Sequence, residues 1–461
     1  MSLSAAMEIG KNGLRIYQVA NEVTAENIAN VNTPGYSRQR VILENAPPTT
    51  ANGFPLGTGV QISTVERVYD GLLQQQLVSS STTQGYDTTK SQILQQIEPS
   101  FNETSQDGLG AAVSNFFGSW QDLTLNPGGY FERQAVITRS QTLADNFHLI
   151  SQTLNNTIKN QDAALVPLTD SINATLKNIA QLNGQIKTTE LVSGNANETR
   201  DQRDQLIRDL SQQIGITYTE NSDGTTDVKY ADGGASLVTG STAGSFSLTT
   251  NAVTGLYDVN VTPPGGVAGL VTPTTGELGA TLALRDTIIP GYLAKVDALA
   301  NTIATQVNTQ HKLGFDQGGN AGVAFFTGTT SATISLNSAG ITGTDKIAAS
   351  GSATSLGDNS NALALAQLQG QKVMSGNTAT FGSYFNGLAS QVGLDVQSSK
   401  NTEAQDIAFT KQLTTLRESN SGVSLDEELT NLVKYQRSYQ ASSKLITTAT
   451  EMMDTVIAMI R

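Results

Sequence analysis

The chain contains no cysteine. That absence removes disulfides, thiolate nucleophiles and thiolate metal sites together. Histidine is nearly missing as well, with only His148 and His311 in 461 residues, so a transition-metal site has almost no soft nitrogen donors to draw on. Charge is sparse, at 15% of residues, and its balance is negative: 27 Lys plus Arg against 40 Asp plus Glu, a net of −13. Phosphate binding requires a basic patch, so a nucleic-acid partner is not expected. No run approaches the ~18–20 apolar residues that a membrane span requires, and no membrane association is expected. The opening MSLSAAMEIGKNGLR lacks a basic region leading into an apolar core, so neither a cleavable secretory signal nor an anchor is expected there. Acid–base catalysis on a sugar requires two carboxylates in a defined setting, and no such setting is recognisable; no enzyme activity and no cofactor are expected.

What is present is strongest at the two ends. From 425 to 460 an apolar residue recurs every seventh position: Leu425, Leu432, Tyr439, Ile446, Met453 and Ile460. That interval marks a helix built to lie against another helix. The offset positions Leu429, Gln436, Ser443, Thr450 and Ile457 complete the alternating spacing, but three of the five are polar. A seam so wet in its middle is weak alone, and Gln436 is a candidate for setting register. In the first thirty residues Met7, Leu14 and Ile28 share one seven-residue track, while Leu3, Gly10, Tyr17 and Thr24 share its companion. If these ends pair, the two helices are antiparallel and everything between is a long insertion.

The interior alternates between helix and strand. Phe147, Ile150, Leu154 and Ile158 form one helical stripe, Ile172, Leu176, Ile179, Leu182 and Ile186 a second, and Leu206, Leu210 and Ile214 a third. Around Asp223-Gly224 two alternating runs predict a hairpin, followed by strands near 245–248 and 257–261. Helix returns from Ile289 to Val307 with Pro290 in its first turn. A Gly, Ser and Thr-rich stretch from about 314 to 360 reads as loop with short strands, followed by helices near 361–374 and 380–420. Asp316-Gln317-Gly318-Gly319-Asn320 reads as a turn, and His311 as a helix-ending residue whose charge suits the dipole. The fold class is α+β, mainly α: a discontinuous helical coiled-coil domain from both termini (1–60 with 405–461), a long helical-bundle second domain (61–215 with 277–404) and a small inserted β domain (216–276).

One short segment is more specific than these stripes. After the first helix the chain reads Glu26-Asn27-Ile28-Ala29-Asn30-Val31-Asn32-Thr33-Pro34-Gly35-Tyr36-Ser37-Arg38-Gln39. Asn30 or Asn32 suits the left-handed residue that closes a helix, Pro34 blocks continuation, and Pro34-Gly35 suits the centre of a type II turn. Asn27, Asn30, Thr33 and Tyr36 are candidates either for this local role or for contact with adjacent subunits. The order of residues closely resembles the N-terminal signature of the flagellar axial proteins, the rod, hook and hook-associated family. Gly422-Val423-Ser424-Leu425-Asp426-Glu427-Glu428, with Asn431-Leu432, Tyr435-Gln436 and Tyr439-Gln440-Ala441, resembles that family's C-terminal signature. Phe116-Phe117, Trp120-Gln121-Asp122-Leu123, Asn126-Pro127 and Arg133-Gln134 are similar to the hook-associated members, as are Asp201-Gln202-Arg203-Asp204-Gln205-Leu206 and Asn308-Thr309-Gln310-His311-Lys312.

The resemblance implies a secreted, extracellular structural protein of the bacterial flagellum that leaves the cell unfolded by type III export. It implies a homo-oligomeric ring of about eleven copies, with the hook protein and the second hook–filament junction protein as neighbours and an export chaperone holding the C-terminal helix. The terminal helices are expected to be mobile in the free chain and to order on assembly. Hook protein, second junction protein and surface adhesin are the alternatives, and the scarcity of lysine on the surface fits any secreted assembly protein.

Overall fold

The computed structural model describes residues 3–51, 54–102, 108–355 and 357–460. Among these residues ten α-helices dominate: α1 (Leu3–Ala29), α2 (Gly71–Ile97), α3 (Leu109–Leu125), α4 (Tyr130–Ser193), α5 (Asn197–Gln213), α6 (Gly276–Ala283), α7 (Ile289–His311), α8 (Ser360–Gln367), α9 (Phe381–Ser421) and α10 (Leu425–Ile460). The strands are short and antiparallel, so the fold is mainly helical with inserted β structure, as the residue pattern implies.

The two terminal helices lie against each other. Tyr17 stacks on Tyr435 with ring centroids 6.3 Å apart, Asn27 reaches Glu428, and at the other end Gly10 and Gly13 face Ile446 and Ser442. Rising numbers on α1 meet falling numbers on α10, so the pair is antiparallel. Glycine at those two positions suits the close approach. A Cβ on Gly10 would stand 2.7 Å from Ile446 Cγ1, and one on Gly13 would stand 2.6 Å from Ser442 Oγ. The bare backbone lets the helices approach more closely than side chains allow.

Between the helices of this pair the chain builds a long body whose described residues form two large apolar cores and a small cluster of Leu73, Leu77 and Leu413. The first gathers Phe116, Phe117 and Trp120 of α3, Phe147 and Leu154 of α4, Val296 and Ile303 of α7, and Phe381 and Val392 of α9. The second gathers Leu165, Ile172 and Ile179 of α4, Ile207 and Leu210 of α5, and the strand residues Val228, Tyr230, Phe246, Val259 and Val261. The predicted hairpin and the strands near 245–248 and 257–261 are present, joined by strands the sequence did not show, in two small sheets: a four-stranded one (Ile216–Glu220, Thr226–Tyr230, Ser236–Thr239, Thr242–Ala243) and a three-stranded one (Ser245–Thr250, Tyr257–Thr262, Gly269–Leu270). Their inward residues are buried on α4 and α5, so sheets and helices share one core.

Three features depart from the sequence pattern. The stripes around 147–158 and 172–186 belong to one 64-residue helix, α4, which runs through Pro167 without ending. Helix α2 has no stripe in the sequence, because its middle, Ser79 to Ser91, is almost wholly polar; packing on α9 and α5 holds it instead. An antiparallel pair, Gln39–Asn45 with Val60–Arg67, follows the first helix where no strand was expected. Both strands are short and only half-buried, so they carry little apolar alternation to read.

Candidate assembly site

The signature segment forms a clasp where α1, α5, α9 and α10 meet. Tyr36 N–H donates to Thr33 O at 3.2 Å, and Gly35 has φ +83°. Thr33 to Tyr36 is therefore the type II turn that Pro34-Gly35 predicts, with glycine where positive φ is required. The helix closes differently from expectation. Among the described residues only Ser375 and Asn377 are non-glycine positions with positive φ, so neither Asn30 nor Asn32 is left-handed. Instead Asn30 Nδ2 donates to Glu26 O (3.1 Å) and its Oδ1 accepts from Thr33 Oγ1 (3.0 Å), so the side chain itself closes the last turn.

Asn27 is the centre of the clasp and is 1% exposed. Its Nδ2 donates to Gln39 O at 2.9 Å and to Glu428 Oε2 at 3.1 Å, and its Oδ1 accepts from Tyr36 OH and Gln39 N, both at 2.9 Å. An amide offers two donors and two acceptor sites, and all four are used. Glu428, buried on α10, also takes Arg38 Nε at 2.7 Å, while Arg38 Nη1 reaches Glu427 at 2.7 Å. Arg38 N–H donates to Ser421 O at 2.8 Å. One buried cluster thus ties both ends of the chain together.

A second cluster ties the clasp to the body. Ser37 gives its N–H and hydroxyl to the two oxygens of Asp201 at 2.7 and 2.8 Å, and Arg67 Nη1 bridges Asp201 and Asp204 at 2.7 Å each. Burial opposes the Arg67 charge, but the two aspartates outweigh it and hold its pKa above the ordinary value. Asn197 of α5 donates to Gln39 Oε1 and Val65 O, each at 3.0 Å, and Arg417 of α9 donates to Gly35 O. Glu26 of α1 shares a hydrogen bond with Glu198 of α5; that bond, burial and like charge push Glu26 from 4.5 up to about 7. Beside it a cleft of about 570 Å³ opens between the turn (Asn30, Pro34, Tyr36) and the helices α4 and α5 (Asn178, Glu198, Gln202).

The heptad residues divide by position. Leu432, Ile446 and Met453 are half-buried towards α1, while Leu425 and Tyr439 are exposed. The companion track Leu429, Gln436, Ser443, Thr450 and Ile457 faces away, with Leu429 51% and Ile457 55% exposed. The positions that meet α1 are one residue earlier: Glu428, Tyr435, Ser442 and Ala449. On α1 the buried face is Gly10, Gly13, Ile16, Ala20, Val23, Thr24 and Asn27, with Met7, Leu14, Tyr17 and Ile28 half-buried at its margins. Small residues on α1 allow the close approach, and of the predicted large apolar track Ile446 stands directly against Gly10. The side chain of Ile460 lies outside the described residues. Arg67 escaped the sequence reading because partners 134 and 137 residues away leave no local pattern.

The internal motifs are structural. Arg133 donates to Pro127 O and Ile347 O, both at 2.7 Å. Arg203, 1% exposed, donates to Gly224 O at 2.6 Å and fixes the hairpin turn. Asn308 binds the backbone of Phe325 and Phe326. His311 is fully buried rather than charged at a helix end. Ala348 N–H donates to its Nε2 at 2.9 Å, so Nδ1–H donates to Val323 O at 2.7 Å, and burial lowers its pKa to about 4. Asp316 Oδ1 accepts from Gly318 N and Asn320 N at 2.8 Å each, which makes that loop a turn. Among the described residues no group of three His, Asp or Glu is placed to hold a metal ion, and no helix is long and apolar enough to cross a membrane.

Comparison with known proteins agrees with this architecture. The family model for the flagellar hook-associated protein FlgK helical domain matches residues 94–326. The chain belongs to the flagellar hook-associated FlgK family. The clasp itself falls where two further families match, the flagella basal body rod protein over 7–36 and the flagellar basal body rod FlgEFG protein C-terminal over 417–459. Flagellar hook-associated protein 1 of Bacillus subtilis (strain 168) is 29% identical, over 98% of this chain and 97% of its own. Its namesake in Escherichia coli (strain K12) is 27% identical, over 99% and 100%. A solved structure, the flagellar hook junction protein FlgK from Burkholderia pseudomallei, shares the fold with a TM-score of 0.68 at 18% identity, covering 76% of this chain and all of that one. The family is structural, and this member is a structural protein of the hook–filament junction and an axial component of the flagellum that assembles with other axial proteins.

Two outcomes follow from the clasp. Replacing Asn27 by Ala leaves Glu428 and the Tyr36 hydroxyl short of partners and destabilises the terminal pair by about 3 kcal/mol, whereas Lys11→Ala on the open face changes it by less than about 0.5; urea titration followed by circular dichroism measures both. Glu26 has a raised pKa, so between 4.5 and about 7 the folded state holds more protons than the unfolded one. Its contribution to stability therefore falls as pH rises through that window, and Glu26→Gln flattens this part of the pH profile of thermal unfolding.

Proposed function

We propose that this protein forms, by self-assembly through its terminal helices, the ring of about eleven copies that joins hook to filament, a closed arrangement built from head-to-tail contacts. The observation that carries the reading is the bare side of α10. Helix α1 covers one face, and Leu425, Leu429, Val433, Met452, Ile457 and Met459 remain exposed on the flanks and far side of the 36-residue helix, Met459 at 79%. Apolar rows of that length on a helix mark an interaction surface. Neighbouring copies supply the missing partner in this reading, with Leu429, Gln436 and Ile457 at the contacts between subunits and Met7, Leu14 and Ile28 at the margins of α1.

The hook protein stands on one side of the ring and the second hook–filament junction protein on the other. Before secretion through the flagellar export system, a chaperone shields the same face of α10, because an uncovered apolar row invites aggregation. The 1–60 and 405–461 segments act as the polymerisation domain, and the 61–215 with 277–404 body, carrying the 216–276 strands, faces outward. Electron microscopy of cells lacking the gene, with flagellin assayed in the medium, tests the proposal. Bare hooks with unpolymerised flagellin outside the cells are expected. Intact filaments would overturn the assignment, and missing hooks would move it to a rod or hook component.

A further inference from the structure

The two cores of the body are separated at one level, and every long helix that crosses this level is weakened there. On α4 the last residue packed on the first core is Ile158 and the first on the second is Leu165. Pro167 sits inside the helix at this point. It has no N–H to give to Ala163 O, and its ring crowds that carbonyl. Both residues are on the solvent side. Two residues on, Thr169 Oγ1 donates to Leu165 O (2.8 Å) and Val166 O (3.0 Å), drawing two more carbonyls towards a side chain.

The neighbouring helix is irregular at the same level. Between α6 and α7 the chain makes a π-helical turn, Leu284–Ile288, followed by Pro290. That turn marks a change of core too: Leu278 belongs to the second core and Leu284 to the first. Arg285 of the π turn registers the two breaks against each other. Its Nη1 donates to Asp162 Oδ1 at 2.7 Å and to Tyr257 O at 2.6 Å, and Tyr257 N–H donates to the same aspartate oxygen at 2.9 Å. The other two crossing helices bring little apolar mass. Helix α2 passes from Val78 in one core to Leu94 in the other with only Ser80, Gly85 and Ser91 buried between, and α9 passes from Val396 in the first core to Leu413, which packs with Leu73 and Leu77 of α2 in a small separate cluster, with only Ser399 buried between.

From these coincident breaks we infer that the body bends at a waist. The first and second cores move as two rigid parts about the Arg285–Asp162–Tyr257 pin, with α4 flexing at Pro167 and the α6–α7 connection at the π turn. Proline and π turns are the recognised sites at which helices kink. Elsewhere each core is close-packed and resists deformation, so compliance concentrates where large side chains are missing. The inference rests on the geometry of these helices alone and stands apart from the assembly reading. In a ring, it gives each copy the freedom to tilt its outer part without disturbing its terminal helices.

Because the chain has no cysteine, spin labels can be placed at will. Asp145→Cys with Lys177→Cys spans the waist on α4, about 48 Å apart in a straight helix, and Asp145→Cys with Lys159→Cys stays on one side, about 21 Å apart. Pulsed electron–electron resonance on the full chain is expected to show a broader distance distribution for the spanning pair than for the other. Adding Pro167→Ala, which restores the hydrogen bond and favours helix, narrows the spanning distribution and leaves the other unchanged. A spanning distribution as narrow as the one-sided pair, or a broad one that Pro167→Ala does not alter, overturns the hinge.

Discussion

The structure depends on one buried amide. Asn27 fills all four of its hydrogen-bonding positions, and one of its partners, Glu428, is 401 residues away. Leaving any of those groups unpaired costs far more than the net gain from a single hydrogen bond. The two ends of the chain are therefore held to a single register. A helix pair joined only by small residues and a half-polar seam could slide by a turn, but a buried Asn–Glu–Arg cluster is satisfied in one alignment only, the role that buried polar groups play in coiled coils. The aspartates of α5 extend the constraint: Asp201 takes Ser37 and Arg67 together, so the register of the terminal pair also sets how it leaves the body.

This arrangement reconciles weak packing with definite geometry. On α1, none of the residues before Gly10 is buried, and on α10 none of the described side chains from Thr450 to Met459 is buried. Apolar contact is spread thinly along the pair, and the dense hydrogen bonding is confined to the clasp. Such a pair is well aligned at one end and lightly held at the other, which leaves the open flank of α10 free for other helices. In the proposed assembly the polar cluster supplies specificity and the exposed residues of α10 supply adhesion, two tasks that a uniformly apolar seam would have merged.

Much of this was legible in the residues. The type II turn was readable because Pro34 and Gly35 each have a narrow conformational range, and the 216–230 hairpin because Asp223-Gly224 sits between alternating runs. The seven-residue interval identified α10 and its need of partners, yet it placed the companion track one position late. At the close approach Gly10 meets Ile446, which the interval did identify, whereas Gly13 meets Ser442, one position off the companion track. The continuity of α4 through Pro167 was not readable, since proline is the usual end of a helix and only packing on both sides carries the helix past it. Helix α2 and the strands at 39–67 had too little apolar contrast to register.

Hydrogen exchange of the isolated chain at low concentration, resolved along both terminal helices, tests the central claim most directly. If the clasp holds the pair, protection is greatest at residues 20–39 and 421–435 and decays towards Leu3 and Ile460. Uniform protection along both helices, or protection that peaks at the far ends, would contradict it.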